Sequence, residues 1–276
     1  MSERAAELRK FLAVAIEAAR EAGAIVRAGF DQPKQVMYKG EVDLVTETDK
    51  KSEAAIVARL RKEFPDHGIV AEEGGGGAGG ERARYVWYVD PLDGTTNFAH
   101  GFPMFAVSIG LLEEGRPIVA AVLNPVSEEL FSAQEGAGAY LNEKQIKVSQ
   151  VQTLSKALLA TGFPTHKRTS NPNIRYYWEF TLRSHGVRRA GSAALDLCSV
   201  ASGRFDGFWE FGLKSWDTAA GMLIVREAGG KISSFAGEEY KPGDKELFAS
   251  NGLIHEEMKN IAQEIASQPP ALNPVS

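Results

Sequence analysis

The sequence predicts a mixed α/β fold, built as one compact unit with two halves. Three observations carry that prediction. Apolar residues recur at three- and four-residue spacings in several stretches, the mark of amphipathic helices. Between them lie short apolar runs bounded by Gly, Pro and Asn, the mark of strands. No segment is rich enough in Pro and Ser to part the 276 residues into independent domains, and no internal repeat is present. A chain of this size buries about three quarters of its unfolded surface and suits two halves or one large α/β unit. With 43% hydrophobic and 24% charged residues it is not a disordered chain, and it needs no disulfide or metal to fold.

Taken in order, Leu8, Leu12, Ala15, Ala19, Ala22 and Val26 line one face of an opening helix that Gly29 and Pro33 end. The stretch from Gln32 to Val42 is polar and reads as a mobile loop. Thr46 and Asp49 form a T-x-x-D cap for a second helix that runs through Ile56, Val57 and Leu60 to Pro65. Apolar runs follow at Gly68–Ala71, Tyr85–Val89, Phe105–Leu112, Pro117–Val122 and Leu130–Ala133, with Gly115 in the tight turn of an antiparallel hairpin. The second half alternates. It reads as a strand at Ala157–Thr161, helices at Asn173–Ser184 and Ser192–Ser202, and a strand at Phe205–Phe211. A helix at Asp217–Ala228, strands at Lys231–Phe235 and Leu247–Ala249, and a helix at Ile254–Ala266 complete it. Residues 269–276 read as a flexible tail.

The 31 Lys and Arg against 36 Asp and Glu leave a net charge of −5. There is no basic stripe, so no direct nucleic-acid partner is expected. A single cysteine, Cys198, fits a reducing, cytoplasmic setting. No signal-peptide core or bilayer-length apolar run appears, so no membrane is expected.

The chemistry concentrates in Trp87-Tyr-Val-Asp90-Pro-Leu-Asp93-Gly-Thr95-Thr-Asn97-Phe98. A buried strand ends at Asp90, where a carboxylate can project past the sheet edge. Asp93-Gly94-Thr95 can open a short helix whose free N–H groups attract phosphate. Asp90 and Asp93, three residues apart around a turn, can converge on a hard cation such as Mg²⁺. Acids beside an anion site would repel a phosphate, and a bound metal reconciles the two. A D-x-x-D turn that merely caps a helix is the plainer alternative. Two further acidic spots sit at similar junctions: Glu72-Glu73 after the run ending at Ala71, and Asp217 in the first turn of an apolar helix. Taken singly, Glu72-Glu73 reads as a solvated loop edge and Asp217 as dipole compensation worth under ~1 kcal/mol. Three such junctions in one chain suggest a site.

The string V-D-P-L-D-G-T-T-N-F-x-x-G-F-P, with W-D-T-A-A-G-x-x-x-x-x-E-A-G-G further on, closely resembles the inositol monophosphatase family, its bacterial inositol-1-monophosphatase type in particular. The resemblance extends over Asp43–Asp49, Ala71-Glu72-Glu73 and Gly191–Asp196. It implies a layered αβαβα sandwich, shared with fructose-1,6-bisphosphatases, and one phosphatase domain over residues 1–268. The half up to about residue 150 would carry the metal site and the rest the substrate side. The implied activity is Mg²⁺-dependent hydrolysis of inositol 1-phosphate or a similar polyol phosphate. Glu72, Asp90, Asp93 and Asp217 would hold two or three Mg²⁺ ions by side chain, and Leu92 by its carbonyl. Glu72, Asp49 and Thr95 would orient the attacking water. Gly94 and Thr95 would hold phosphate oxygens, and Gly191, Ser192, Ala193 and Glu210 would line the pocket for the alcohol, with Glu72, Leu92, Asp93 and Asp217 also bordering substrate. Lys39 matches a mobile-loop lysine, with one residue fewer before Asp43 than the family spacing. Lithium inhibition and a homodimer are implied as well. Ala71 stands where the family often has Ser, and Gly74–Gly80 is unusually glycine-rich, a composition that lets Glu72 move with metal occupancy.

The same metal motif serves relatives acting on histidinol phosphate, fructose 1,6-bisphosphate or 3′-phosphoadenosine nucleotides. Gly191-Ser-Ala193 with Glu210 favours a hydroxyl-rich neutral ring. Some bacterial relatives attach to the transcription machinery, which makes a protein partner the alternative of another class. Other features read plainly: Cys198 as core, His100, His166 and His185 as structural or surface, and Phe205, Phe208, Trp209 and Phe211 as core or subunit interface. Arg188 rather than Arg189 is taken as the arginine reaching the substrate. No nucleotide-binding P-loop follows the glycine run.

Overall fold

The computed structural model describes residues 3–32, 36–38, 44–76, 83–164 and 171–267. Lys39, Gly77–Gly80, His166 and the tail 269–276 lie outside the described residues. Helix α1 (Glu3–Phe30) leads to a two-stranded antiparallel ribbon, β1 (Val36–Tyr38) and β2 (Leu44–Thr46), and then to helix α2 (Glu47–Glu63). β3 (Gly68–Ala71), β4 (Tyr85–Asp93), the five-residue helix α3 (Thr95–Ala99), β5 (Ala106–Glu113) and β6 (Arg116–Asn124) follow. Next come β7 (Glu129–Gln134), β8 (Gly138–Leu141) and β9 (Lys144–Ile146). The second half runs β10 (Leu158–Thr161), α4 (Asn173–Arg183), β11 (Gly186–Arg188), α5 (Ala193–Ala201) and β12 (Gly207–Phe211). It ends with α6 (Ser215–Glu227), β13 (Lys231–Ser233), β14 (Glu246–Ser250) and α7 (His255–Ser267).

β3 to β9 form a seven-stranded sheet in sequence order, and a five-stranded sheet is ordered β11-β10-β12-β14-β13. Strand alternation decides what each face meets. On β5, Val107, Ile109 and Leu111 join the core built with α1 and α2. Ala106 of β5 and Ala120 and Val122 of β6 face the other way, into a core shared with α5, α6 and residues Ala160, Phe208 and Ala249 of the second sheet. The outer face of that sheet, through Leu159, Trp209 and Phe248, packs on α4 and α7. The layers therefore run α/β/α/β/α, as the resemblance implies. Small residues let the middle helices close on the sheet: a methyl at Gly110 would stand 2.8 Å from the Ala220 amide nitrogen. No described helix is long and apolar enough to cross a membrane.

Several expectations need adjustment. Part of the segment read as a loop, Val36–Tyr38, pairs with Leu44–Thr46 as a ribbon, consistent with its β-prone Val and Tyr. β8, β9 and β11 escape an apolar-run criterion because they are short and half-exposed. Phe11, absent from the predicted face of α1, is buried and set edge-on to Phe64 and Tyr85, while Leu12 packs partly buried against the same core. Phe208 and Trp209 are buried, with Phe205 and Phe211 packed against the same cores.

Candidate active site

Strand register builds the site. β3 and β4 are parallel, with Ala71 opposite Val89, so Glu72 and Asp90 leave the sheet side by side. The Glu72 amide still donates to the Val89 carbonyl at 3.2 Å. β4 does not stop at Asp90. Its pairing with β5 passes from Asp90↔Ser108 to Asp93↔Ala106, which leaves one extra residue at Pro91-Leu92. That bulge, where proline is tolerated, re-aims Asp93. Asp93 Oδ2 accepts the Ser192 hydroxyl at 2.5 Å and the Ala194 amide at 2.8 Å, which ties the bulge to the start of α5. Gly94 follows at φ 95°, where a methyl would stand 2.9 Å from the Met104 carbonyl oxygen. Asn97 Nδ2 then donates to the carbonyls of Met104 at 2.6 Å and Ala190 at 2.8 Å.

Asp217, the third residue of α6, accepts the Lys214 amide on Oδ2 at 2.7 Å. It is therefore a helix cap and a cavity acid at once. Glu72, Asp90, Leu92, Asp93 and Asp217 line one side of a cavity of about 430 Å³. Gly94, Thr95, Gly191, Ser192, Ala193 and Glu210 line the rest, and a methyl at Gly162 would collide with the Glu210 carboxylate. Asp49 stands behind this wall. Fully buried on α2, it caps the helix by accepting the Thr46 amide at 2.8 Å and receives the Thr95 hydroxyl at 3.1 Å. The Thr95 hydroxyl also lies 3.0 Å from the Leu92 carbonyl oxygen.

Burial and mutual repulsion govern the charges. Burial first, then the charges of Glu72, Asp93 and Asp217, holds the Asp90 carboxyl well above the usual range. Asp217 is pushed up to about 8 by burial and then by Asp93. Glu210 is likewise pushed up to about 8, by burial and then Asp217, with Arg189 opposing. Burial raises Asp93 while its Ser192 and Ala194 hydrogen bonds pull the other way. Asp49 is raised by burial, against its bonds to Thr46.

Two predicted residues are absent from the cavity wall, Asp49, which stands behind it, and Arg188. Arg188, the last residue of β11, is exposed and reaches only its neighbour Val187's carbonyl at 3.4 Å. Arg189, one position past the end of β11, lines the cavity instead. Trp216 and Phe163 also line it. Trp216 was legible in the W-D-T-A-A-G string, whereas Phe163 carries no sequence signal. Among the described residues, no three acidic, His or Cys side chains are gathered into a finished metal cage. The acids share a wall without closing on one point.

A sequence profile described as the inositol monophosphatase family matches residues 7–268. The chain belongs to the inositol monophosphatase family. It is a phosphoric monoester hydrolase, like the relatives it resembles. The inositol-1-monophosphatase of Synechocystis is 43% identical over 265 residues, covering 95% of this chain and 91% of that protein. The Nus factor SuhB of Pseudomonas aeruginosa is 48% identical over 236 residues, covering 83% and 87%. The solved inositol monophosphatase from Anabaena superposes with a TM-score of 0.85 at 42% identity, covering 96% of this chain and 98% of that one.

Proposed function

We propose that this phosphatase hydrolyses inositol 1-phosphate, or a similar polyol phosphate monoester, to the alcohol and phosphate with Mg²⁺ as cofactor. One observation carries the reading: Glu72, Asp90, Asp93 and Asp217 border a cavity whose other walls are Ser192, Ala193 and Glu210. The donor set fits a hard cation, since it consists of carboxylates and the Leu92 carbonyl. Asp90, Asp93 and Asp217 each commit one oxygen to the chain, and the second remains for a ligand. Left to themselves, acids raised by burial and then by mutual repulsion hold protons, and a divalent cation would take the protons' place. Bound there, Mg²⁺ supplies acidified water and charge stabilisation for the phosphoryl group.

The chain's own groups do the positioning. A hydroxyl carries one proton, so when Thr95 donates to Asp49 Oδ1 its lone pairs are free to accept from a water in the cavity. Glu72, which lines the same cavity as Thr95, accepts that water's second proton. The water oxygen attacks phosphorus as the bond to the alcohol oxygen breaks. The leaving alkoxide takes a proton from solvent, Glu72 returns its proton to solvent, and the water's other proton stays on the phosphate. The amides of Gly94 and Thr95 hold phosphate oxygens, while Glu210, Ser192 and Ala193 receive the ring hydroxyls. Homodimer formation, inhibition by Li⁺ and a cytoplasmic location belong to the same reading.

The test is a panel of inositol, histidinol, fructose and 3′-adenosine phosphates assayed with Mg²⁺ and with chelator. The expected result is preferred turnover of inositol 1-phosphate that chelation abolishes and Asp90→Asn nearly eliminates. Turnover that survives chelation refutes the metal reading, and preference for a nucleotide refutes the substrate. Similarity to a Nus factor supports a second reading, attachment to the transcription machinery. That reading predicts a cellular phenotype retained by the inactive Asp90→Asn protein.

A further inference from the structure

Asp49, Ser52 and Glu53 lie three and four residues apart on one face of α2, all buried, and each touches a different part of the candidate site. Asp49 takes the Thr95 hydroxyl, and Ser52 donates to the Pro91 carbonyl in the bulge at 2.8 Å. Glu53, only 3% exposed, accepts the amides of Glu73 at 2.6 Å and of Gly75 at 2.7 Å, one on each carboxylate oxygen. These amides flank the turn that leaves β3 immediately after Glu72. A methyl at Gly75 would stand 2.7 Å from Glu53 Oε1, so the glycine there allows the close approach. Arg61, two turns further along α2, donates to the carbonyls of Gly75 at 3.0 Å and Gly76 at 3.3 Å. Far from hanging loose, Gly75 is gripped on both its donor and its acceptor side.

We propose that Glu53 is a positioning residue: its carboxylate fixes the turn that carries Glu72, and so sets how tightly the site holds its divalent cation. A carboxylate buried to receive two amides is a strong anchor, because charge-assisted hydrogen bonds are about twice as strong as neutral ones. Glu72 is the one acid of the set that follows its strand into a glycine-rich turn, whereas Asp90 and Asp93 sit within β4 and Asp217 within α6. It therefore depends most on an outside restraint. Groups that orient metal ligands from behind typically change metal affinity 10- to 100-fold when altered.

This inference rests on the proposed Mg²⁺ site. The test compares wild type, Glu53→Gln and Arg61→Ala by calorimetric titration of metal-free protein with Mg²⁺ and without substrate, then by Mg²⁺-dependence of turnover and by melting temperature. Glu53→Gln is nearly isosteric and keeps one acceptor, but turns an N–H toward the other amide. It should weaken Mg²⁺ binding about 10-fold or more. Its kcat should return to within about threefold of wild type at saturating Mg²⁺, as for a group acting through another. Arg61→Ala, which leaves the carboxylate clamp in place, should change Mg²⁺ affinity less. Glu53→Gln that melts lower yet binds Mg²⁺ within about threefold of wild type would make Glu53 a purely structural clamp and overturn the proposal alone. Wild-type protein that neither binds Mg²⁺ nor needs it for turnover would overturn the functional reading itself, and this inference with it.

Discussion

Asp217→Asn separates what the cavity acids cost the fold from what they do for catalysis. In metal-free protein Asp217 titrates at about 8, against an ordinary 3.8, because it is buried beside Asp93 and Glu72. A carboxyl whose pKa is raised on folding contributes stability that is fully present below 3.8 and is lost as pH rises toward 8. At pH 7 the folded chain retains a proton that the unfolded chain would release, a penalty of at most about 4 kcal/mol. Partial exposure of the side chain trims it to about 2–3 kcal/mol. Asparagine still accepts the Lys214 amide and never ionises. The variant should therefore match wild type near pH 4 and exceed it by about 2–3 kcal/mol at pH 7, in urea unfolding with chelator present. Added Mg²⁺ should reverse the order, stabilising wild type and leaving the inactive variant unmoved. A variant no more stable than wild type at pH 7 without metal would refute the argument that burial and repulsion raise Asp217.

Gly94→Ala places a methyl 2.9 Å from the Met104 carbonyl oxygen in a residue at φ 95°. It should destabilise the protein by about 1–3 kcal/mol and lower kcat more than it raises KM, both read on the purified variant. His255 is buried between the hydroxyls of Ser233 and Ser250, each 2.8 Å from a ring nitrogen, and burial lowers its pKa to about 4. For a histidine lowered in this way, stability is present above about 6.5 and falls as pH drops toward 4, by about 2 kcal/mol at pH 5. The difference between wild type and His255→Gln should shrink by that amount from pH 7 to 5, and a constant difference would exclude the histidine as its source.

The sequence conveys most about elements with strong local signals. Helix α2 was readable from its T-x-x-D cap because Thr46 and Asp49 satisfy each other locally. The β5–β6 hairpin was readable because Gly115 must take positive φ between two buried runs. Motif strings likewise named most of the residues that line the cavity. What stayed hidden depends on contacts distant in sequence. Glu53 looks like any polar helix residue until its carboxylate meets amides about 20 positions away. The choice between Arg188 and Arg189 turns on where a three-residue strand ends, which no local signal marks. Leu92's bulge is visible only once β5 supplies the register.

The two motif strings that signal the family also meet along the seam between the halves. Asp93 is bonded to Ser192 and Ala194, and Asn97 to Ala190, so the bulge of the first sheet is fastened to the entrance of α5. Asp217 reaches the same cavity because α6 lies between the two sheets, close enough that Gly110 can carry no side chain. Neither half contains the whole set of acids, and a metal site confined to the first 150 residues would lack Asp217. The net charge of −5 read from composition obscures this, since Glu72, Asp90, Asp93, Glu210 and Asp217 place that many carboxylates around one cavity. A charge so concentrated repels a phosphate only while no cation is bound. Closing the seam gathers the acids and raises the pKa values of Asp90, Asp93, Glu210 and Asp217, and on the proposed reading the same arrangement gives a divalent cation its place. On the proposed reading, folding and metal binding are coupled through these carboxylates, and the stability of the seam would limit how firmly the metal is held.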